Sequence, residues 1–149
     1  MVDRSRQGVP FEAIEALYFA YRAFTDRPDR ILERRGLGRV HHRILYFVGR
    51  NPDISVRGLL EVLAVSKQAL NAPLRQLVEM HLVAVAAGSR DLRVKQLRLT
   101  EEGGRLEAEL TGAQVRLLHA AFEQAGEGAR AGWLKVMTEL AAAERGALS

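Results

Sequence analysis

Apolar residues recur at three- and four-residue steps through Phe11, Ile14, Leu17, Tyr18, Tyr21 and Phe24. That spacing puts them on one face and predicts an amphipathic helix over residues 10–26. Asp26-Arg27-Pro28-Asp29 should stop it, because proline disfavours helix at the residue before it and suits the first turn of a new one. A short helix through Ile31–Arg35 should then end at Gly36. Val40, Ile44, Leu45, Phe47 and Val48 predict a helix over 38–50, closed by Asn51-Pro52. Ser55 is a good N-cap for the next helix, which buries Leu59, Leu60 and Leu63, and Ser66 caps another running to about His81. Ala69, Leu70, Leu74 and Leu77 should face inward along it.

The period then changes. Val83–Ala87 and Arg93–Leu99 are short β-like runs joined by the polar turn Gly88-Ser89-Arg90-Asp91-Leu92, which reads as a hairpin. Thr100 can cap a long helix whose first turn carries Glu101 and Glu102, well placed at the positive helix end. Leu106, Leu110, Ala113, Leu117 and Ala121 sustain its stripe to about residue 125. Gly126-Glu127-Gly128 makes a turn, and Trp133, Leu134, Met137, Leu140 and Ala141 mark a last amphipathic helix.

Two short helices joined by a tight turn form a helix-turn-helix unit, and the hairpin after it supplies a wing. The expected fold is mainly α with a small β-hairpin: a winged helix-turn-helix core with helical extensions at both ends. Residues 1–149 read as one domain, with a DNA-binding lobe over 38–100. Residues 10–35 and 101–149 present more apolar surface than a small core can cover, and are expected to pair two copies about a two-fold axis.

At 149 residues and 48% hydrophobic, the chain can bury a single core. It has no cysteine, which excludes disulfides and thiolate metal sites. The longest run free of Asp, Glu, Lys and Arg is the ten residues Met80–Ser89, too short to span a membrane. The start, residues 1–8, lacks the apolar segment of a secretory leader, and a cytoplasmic protein is expected. The net charge of +4 hides an uneven distribution: residues 27–100 carry fourteen Lys or Arg against six acids, while both flanks are slightly acidic. A basic middle suits a polyanion, although nineteen of the 22 basic residues are Arg, a bias that genome composition alone can produce.

With these elements in this order, the chain resembles the MarR-type winged-helix regulators of bacterial transcription over nearly its whole length. Leu63-Ala-Val-Ser-Lys67 resembles that family's turn into its recognition helix, Asp91-Leu92-Arg93 its wing tip, and Leu97-Arg-Leu-Thr-Glu-Glu-Gly103 its strand-to-helix junction. The resemblance implies a homodimer on a pseudo-palindromic operator, usually repressing nearby genes and often released by a small aromatic or phenolic ligand.

Physical chemistry supports the same contacts. A recognition helix places its N-terminal residues against base edges in the major groove. Here these are Ser66, Lys67, Gln68 and Asn71. Gln68 and Asn71, three apart, can each pair bidentately with adenine; Lys67 suits guanine or phosphate, and Ser66 can equally be a cap alone. Arg75 suits phosphate. On the wing, Arg93 suits the narrow minor groove. Asp91 is expected to orient a neighbouring arginine, with Arg90 and Lys95 along the backbone. Arg57 and Arg39, near helix starts, can also reach phosphate. Two features depart from the family pattern. Pro73 falls inside the recognition helix, where it removes a hydrogen bond and should bend the helix or delay its start. His81 stands where a helix-ending glycine is usual.

An effector pocket would draw on Tyr18, Tyr21, Arg22, Phe24 and His41 or His42, with plain core packing the alternative for the rings. Neither metal nor cofactor is expected: His41 and His42 point about 100° apart on a helix, and His119 with Glu123 reads as a surface pair. No phosphate loop, nucleophile elbow or zinc-protease motif appears, so the chain is not expected to be an enzyme. The alternative to a DNA-binding regulator is a winged-helix module for protein–protein interaction, which Pro73 keeps open.

Overall fold

Six helices and three short strands make up the described part of the computed structural model, which covers residues 10–147 and side chains as far as Glu144. They are α1 (Phe11–Glu33), α2 (Arg39–Arg50), β1 (Ile54–Ser55), α3 (Val56–Leu63), α4 (Lys67–Glu79), β2 (Val83–Ala87), β3 (Lys95–Leu99), α5 (Glu101–Ala125) and α6 (Ala129–Ala147). The N-terminal stretch read for a secretory leader lies outside the described residues. Two compact units divide inside α5, one running up to Gln114 and the other starting at Val115; the sequence pattern had suggested a boundary at residue 100.

The first unit holds a leucine-rich core in which Leu32, Ile44, Leu45, Leu59, Leu70, Leu77, Leu82, Leu97 and Leu110 are fully enclosed. Most of the expected inward positions are there. Ala69 is a correction: it is exposed, because the buried stripe of α4 runs through Leu70 and Leu77 and Ala69 falls beside it.

The expected break at Pro28 does not occur, and α1 runs through it to Glu33. Thr25, Pro28 and Leu32 lie at i, i+3 and i+7 and are all buried, so packing of this face outweighs the lost backbone bond. The Thr25 hydroxyl also donates to the Tyr21 carbonyl at 2.9 Å. The turn that follows α1 does close at Gly36, in the left-handed region with φ +71°, where Leu37 N–H donates to the Leu32 carbonyl and Gly36 N–H to that of Glu33.

The same closure ends α4. His81 takes φ +60°, its N–H donates to Val78 and that of Leu82 to Leu77. Histidine thus fills a glycine's place, and Thr100 steadies it by donating to the His81 carbonyl at 2.7 Å. Pro73 neither delays nor interrupts α4, which starts directly after Ser66 and continues to Glu79.

The caps read from the sequence are in place. The Ser55, Ser66 and Thr100 hydroxyls accept from the N–H groups of Gly58, Ala69 and Gly103 at 2.9, 3.1 and 3.0 Å. The hairpin is joined by β1, too short to show in the pattern, in an antiparallel sheet of order β1-β3-β2. Register places Leu97 opposite both Ile54 and Val85. Gly103 lies against the turn into β2, so closely that a Cβ there would sit 1.9 Å from the Leu82 carbonyl oxygen.

In the second unit, Gly126 and Gly128 both take positive φ and turn the chain from α5 into α6. Phe122 and Trp133 meet edge to face at 5.4 Å across that turn. The last helix starts at Ala129, a turn earlier than the apolar stripe alone shows.

Candidate nucleic-acid interface

The start of α4 presents polar side chains. Ser66 closes the N-terminal backbone bonds, and Lys67, Gln68, Asn71 and Arg75 are all exposed behind it. The 68, 71, 75 spacing places the last three along one helical stripe. Opposite lies the buried stripe of Leu70 and Leu77, so the same periodicity that anchors α4 turns this polar set outward.

The wing tip is shaped by one aspartate. Asp91 Oδ1 accepts from the Arg93 backbone N–H at 3.0 Å and from its Nε at 3.2 Å, while Oδ2 accepts from Nη2 at 3.4 Å. These bonds, the backbone one foremost, hold the Asp91 carboxyl below the usual carboxylate range. Arg93 stays 92% exposed despite the pairing, so its charge remains at the surface. The loop is tight: Gly88 N–H donates to the Val94 carbonyl at 2.7 Å, and a Cβ on Gly88 would lie 2.7 Å from the Asp91 carbonyl oxygen. Arg90, Leu92 and Lys95 are exposed around it.

A second pair went unseen in the sequence. Arg98 on β3 donates from Nε and Nη2 to Asp53 at 2.5 and 2.7 Å, tying the base of the wing to the turn after α2. This pairing lowers the Asp53 pKa and raises that of Arg98. The partners are 45 residues apart, and no local signal joins them. Asp53 itself takes φ +69°, a conformation aspartate tolerates better than most residues.

Arg57 is exposed at the start of α3, 3.7 Å from Glu61 one turn on. Arg39 is already engaged: it donates to both Asp29 oxygens and stacks over Tyr21 at 5.3 Å. Among the described residues, Lys67, Arg75, Arg90 and Lys95 form no ion pair within 4.0 Å.

The residues named for an effector pocket are not gathered in one place. Arg22 lines an open depression of about 610 Å³ beside Asp26, Asp29, Glu33 and Arg39, but Tyr18, Tyr21, His41 and His42 do not. Tyr18 is exposed under Arg22, and Tyr21 accepts a hydrogen bond from Arg43 at 3.1 Å. Phe24 is half-buried. His41 and His42 are buried and bonded within the protein. His42 Nε2 meets Thr111 Oγ1 at 3.2 Å, and burial pushes its pKa down. Nearby Glu107 is buried too, holding Arg50 at 2.8 Å through one oxygen while the other has no partner. Two adjacent histidines thus serve two different helix contacts, which the sequence could not distinguish from ligand-binding groups.

The comparisons with known proteins agree with this arrangement. Residues 35–93 match the family model described as MarR family. Over 126 residues the chain is 47% identical to the HTH-type transcriptional regulator PetP of Rhodobacter capsulatus, covering 85% of this chain and 76% of that one. The chain belongs to the MarR family. It is a DNA-binding transcription regulator with a winged helix, and regulators of this family are not enzymes. Solved MarR-family structures share the fold. MarR itself superposes with a TM-score of 0.69 over 98% of each chain at 21% identity. PcaV from Streptomyces coelicolor, in complex with its natural ligand, gives 0.68 over 97% of this chain and 98% of that one at 17% identity. No described helix of this MarR-family chain is long and apolar enough to cross a membrane.

Proposed function

We propose that this MarR-family protein is a cytoplasmic, homodimeric repressor that binds a pseudo-palindromic operator and is released by a small aromatic acid. The supporting observation is that one folded unit carries both a capped helix end exposing Lys67, Gln68 and Asn71 and a hairpin tipped by Arg93. In this reading Gln68 and Asn71 read adenine edges, Lys67 meets guanine or phosphate, and Ser66 caps the helix. Arg93 enters the minor groove with Asp91 as its brace. Arg57, Arg75, Arg90 and Lys95 neutralise phosphates, each steepening the salt dependence by roughly 0.9 in log–log slope.

Dimerisation is supported by apolar surface that the first unit leaves uncovered on α1: Phe11, Ile14, Leu17, Tyr18 and Phe19 are each about half exposed. The second unit leaves Val136 and Leu140 exposed in the same way. An effector carboxylate would find Arg22 at the depression, with the exposed Tyr18 and Tyr21 rings outside its lining but on the same helix.

Gel-shift titration against the DNA upstream of its own gene tests the reading. Binding tighter than about 10 nM and selective over shuffled DNA is expected, with half-sites about 34 Å apart. Weak binding indifferent to sequence would favour an interaction module instead.

A further inference from the structure

We propose that His41 and Gln76 form a clamp that positions α4 for sequence discrimination, acting from the protein-facing side of the helix. The inference rests on α4 being the DNA-reading helix.

The bonds form a directed chain. Gly38 N–H donates to His41 Nδ1 at 2.9 Å. With Nδ1 accepting, the neutral ring carries its proton on Nε2, which donates to Gln76 Oε1 at 2.9 Å. That fixes the amide orientation, and Gln76 Nε2 donates onward to the Gly36 carbonyl at 3.2 Å. Each of the three bonds thus pairs one donor with one acceptor, and one Gln76 N–H is left over. Gln76 therefore joins α4 both to the start of α2 and to the turn that closes α1, and His41 is 8% exposed at the centre.

The remaining anchors of α4 are mostly leucines: Leu70 and Leu77 fully buried, Leu74 partly so. Apolar contacts resist separation but are non-directional and allow a helix to slip or tilt. Hydrogen bonds are directional, and two from one amide triangulate the helix. Gln76 and Lys67 are nine residues apart, about 13 Å along the axis, so a tilt of about 5° at Gln76 moves Lys67 by roughly 1 Å. That shift is enough to break a base-edge hydrogen bond. Pro73 lies between them and leaves the Ala69 carbonyl without its helical donor, so the reading end has one backbone tie fewer to the clamped end.

The test separates positioning from folding. Wild-type protein first selects duplexes from a random pool, and affinity is then measured for the selected and a shuffled duplex. Gln76→Leu keeps the side chain's bulk and loses both bonds. His41→Asn keeps an acceptor at the Nδ1 position for Gly38 and loses the reach to Gln76.

Each variant is expected to weaken the selected duplex about tenfold and leave the shuffled one within about twofold, the scale of one lost directional contact. Melting should stay cooperative. The double variant should be no weaker than the worse single one, because both remove the same bond. Retained discrimination, equal loss on both duplexes, or additive losses would overturn the clamp. If Gln76→Leu does not fold, His41→Asn decides alone. A wild type that selects no sequence overturns the reading of α4, and the clamp with it.

Discussion

The recognition helix and the wing both turn polar side chains outward, yet the protein holds the two reading ends by different means. α4 is fixed from behind, by two buried leucines, a side-chain amide and a histidine-closed C-terminus. The wing shares the core only at its root, through Val83 and Leu97, and is fixed further out along its surface by Asp91 on Arg93 at its tip and Asp53 on Arg98 at its base, both solvent-accessible pairs. Exposed ion pairs are individually weak and screened by salt, whereas buried packing is not. α4 is thereby braced against the core, whereas the outer part of the wing depends on charge for its shape.

The largest expected effect lies where the two regions join. Gly103 backs the Leu82 turn between α4 and β2, and Gly103→Ala should destabilise the fold by about 3 kcal/mol or more, because the new methyl meets backbone. Thermal melting checks this; an unchanged transition would show that the junction can give.

Next comes the wing tip. Arg93→Ala should lower operator affinity roughly tenfold to a hundredfold and leave the melting temperature unchanged. Binding isotherms beside a melt distinguish this from unfolding, and unchanged affinity would remove the wing from the interface.

Which parts of this contrast the sequence shows follows from the range of the interactions. Ser55, Ser66 and Thr100 act within three residues, so their caps could be read directly. Gly36 and the hairpin have equally local signals. Pro28 misled, because its local preference lost to the burial of Thr25, Pro28 and Leu32 on one face. The Asp53–Arg98 tie and the His41–Gln76 bond span 45 and 35 residues and leave no local trace. The exposure of Lys67, Gln68, Asn71, Arg75, Arg90 and Arg93 was legible, since it follows from periodicity, whereas Gln76 and Arg98 had no local signal. Which histidine contacts which helix was not.

A smaller effect belongs to the packing behind α2. Burial lowers the His42 pKa below its ordinary 6.5, against the pull of Glu107 and Asp29 and with that of Arg43. The unfolded chain therefore takes up that proton first. The stability His42 contributes should be complete above about pH 6.5 and decline as pH falls below it toward the folded value. Chemical denaturation of His42→Leu should lack that part of the slope; an identical slope would assign it to other groups.

The smallest belongs to the wing base. Asp53 is held below its ordinary 3.8 by Arg98, so its contribution is present above that value and lost as pH falls through the folded one. Asp53→Asn should lower stability at neutral pH only slightly, because the pair is exposed, and should make operator affinity less salt-sensitive, because salt no longer has that tie to screen. Equal salt slopes for the two proteins would show that the wing does not need this tie.

The central claim is that α4 and the wing tip read neighbouring grooves of one duplex. Because the chain has no cysteine, Ala72→Cys and Leu92→Cys, exposed beside Asn71 and Arg93 and given no DNA contact, each provide one attachment point per chain for a tethered iron–EDTA cleavage reagent. Bound to selected DNA, the first should cut around a major groove and the second around the adjacent minor groove of the same half-site. Cleavage confined to one of the two proteins, or scattered without register, would contradict it.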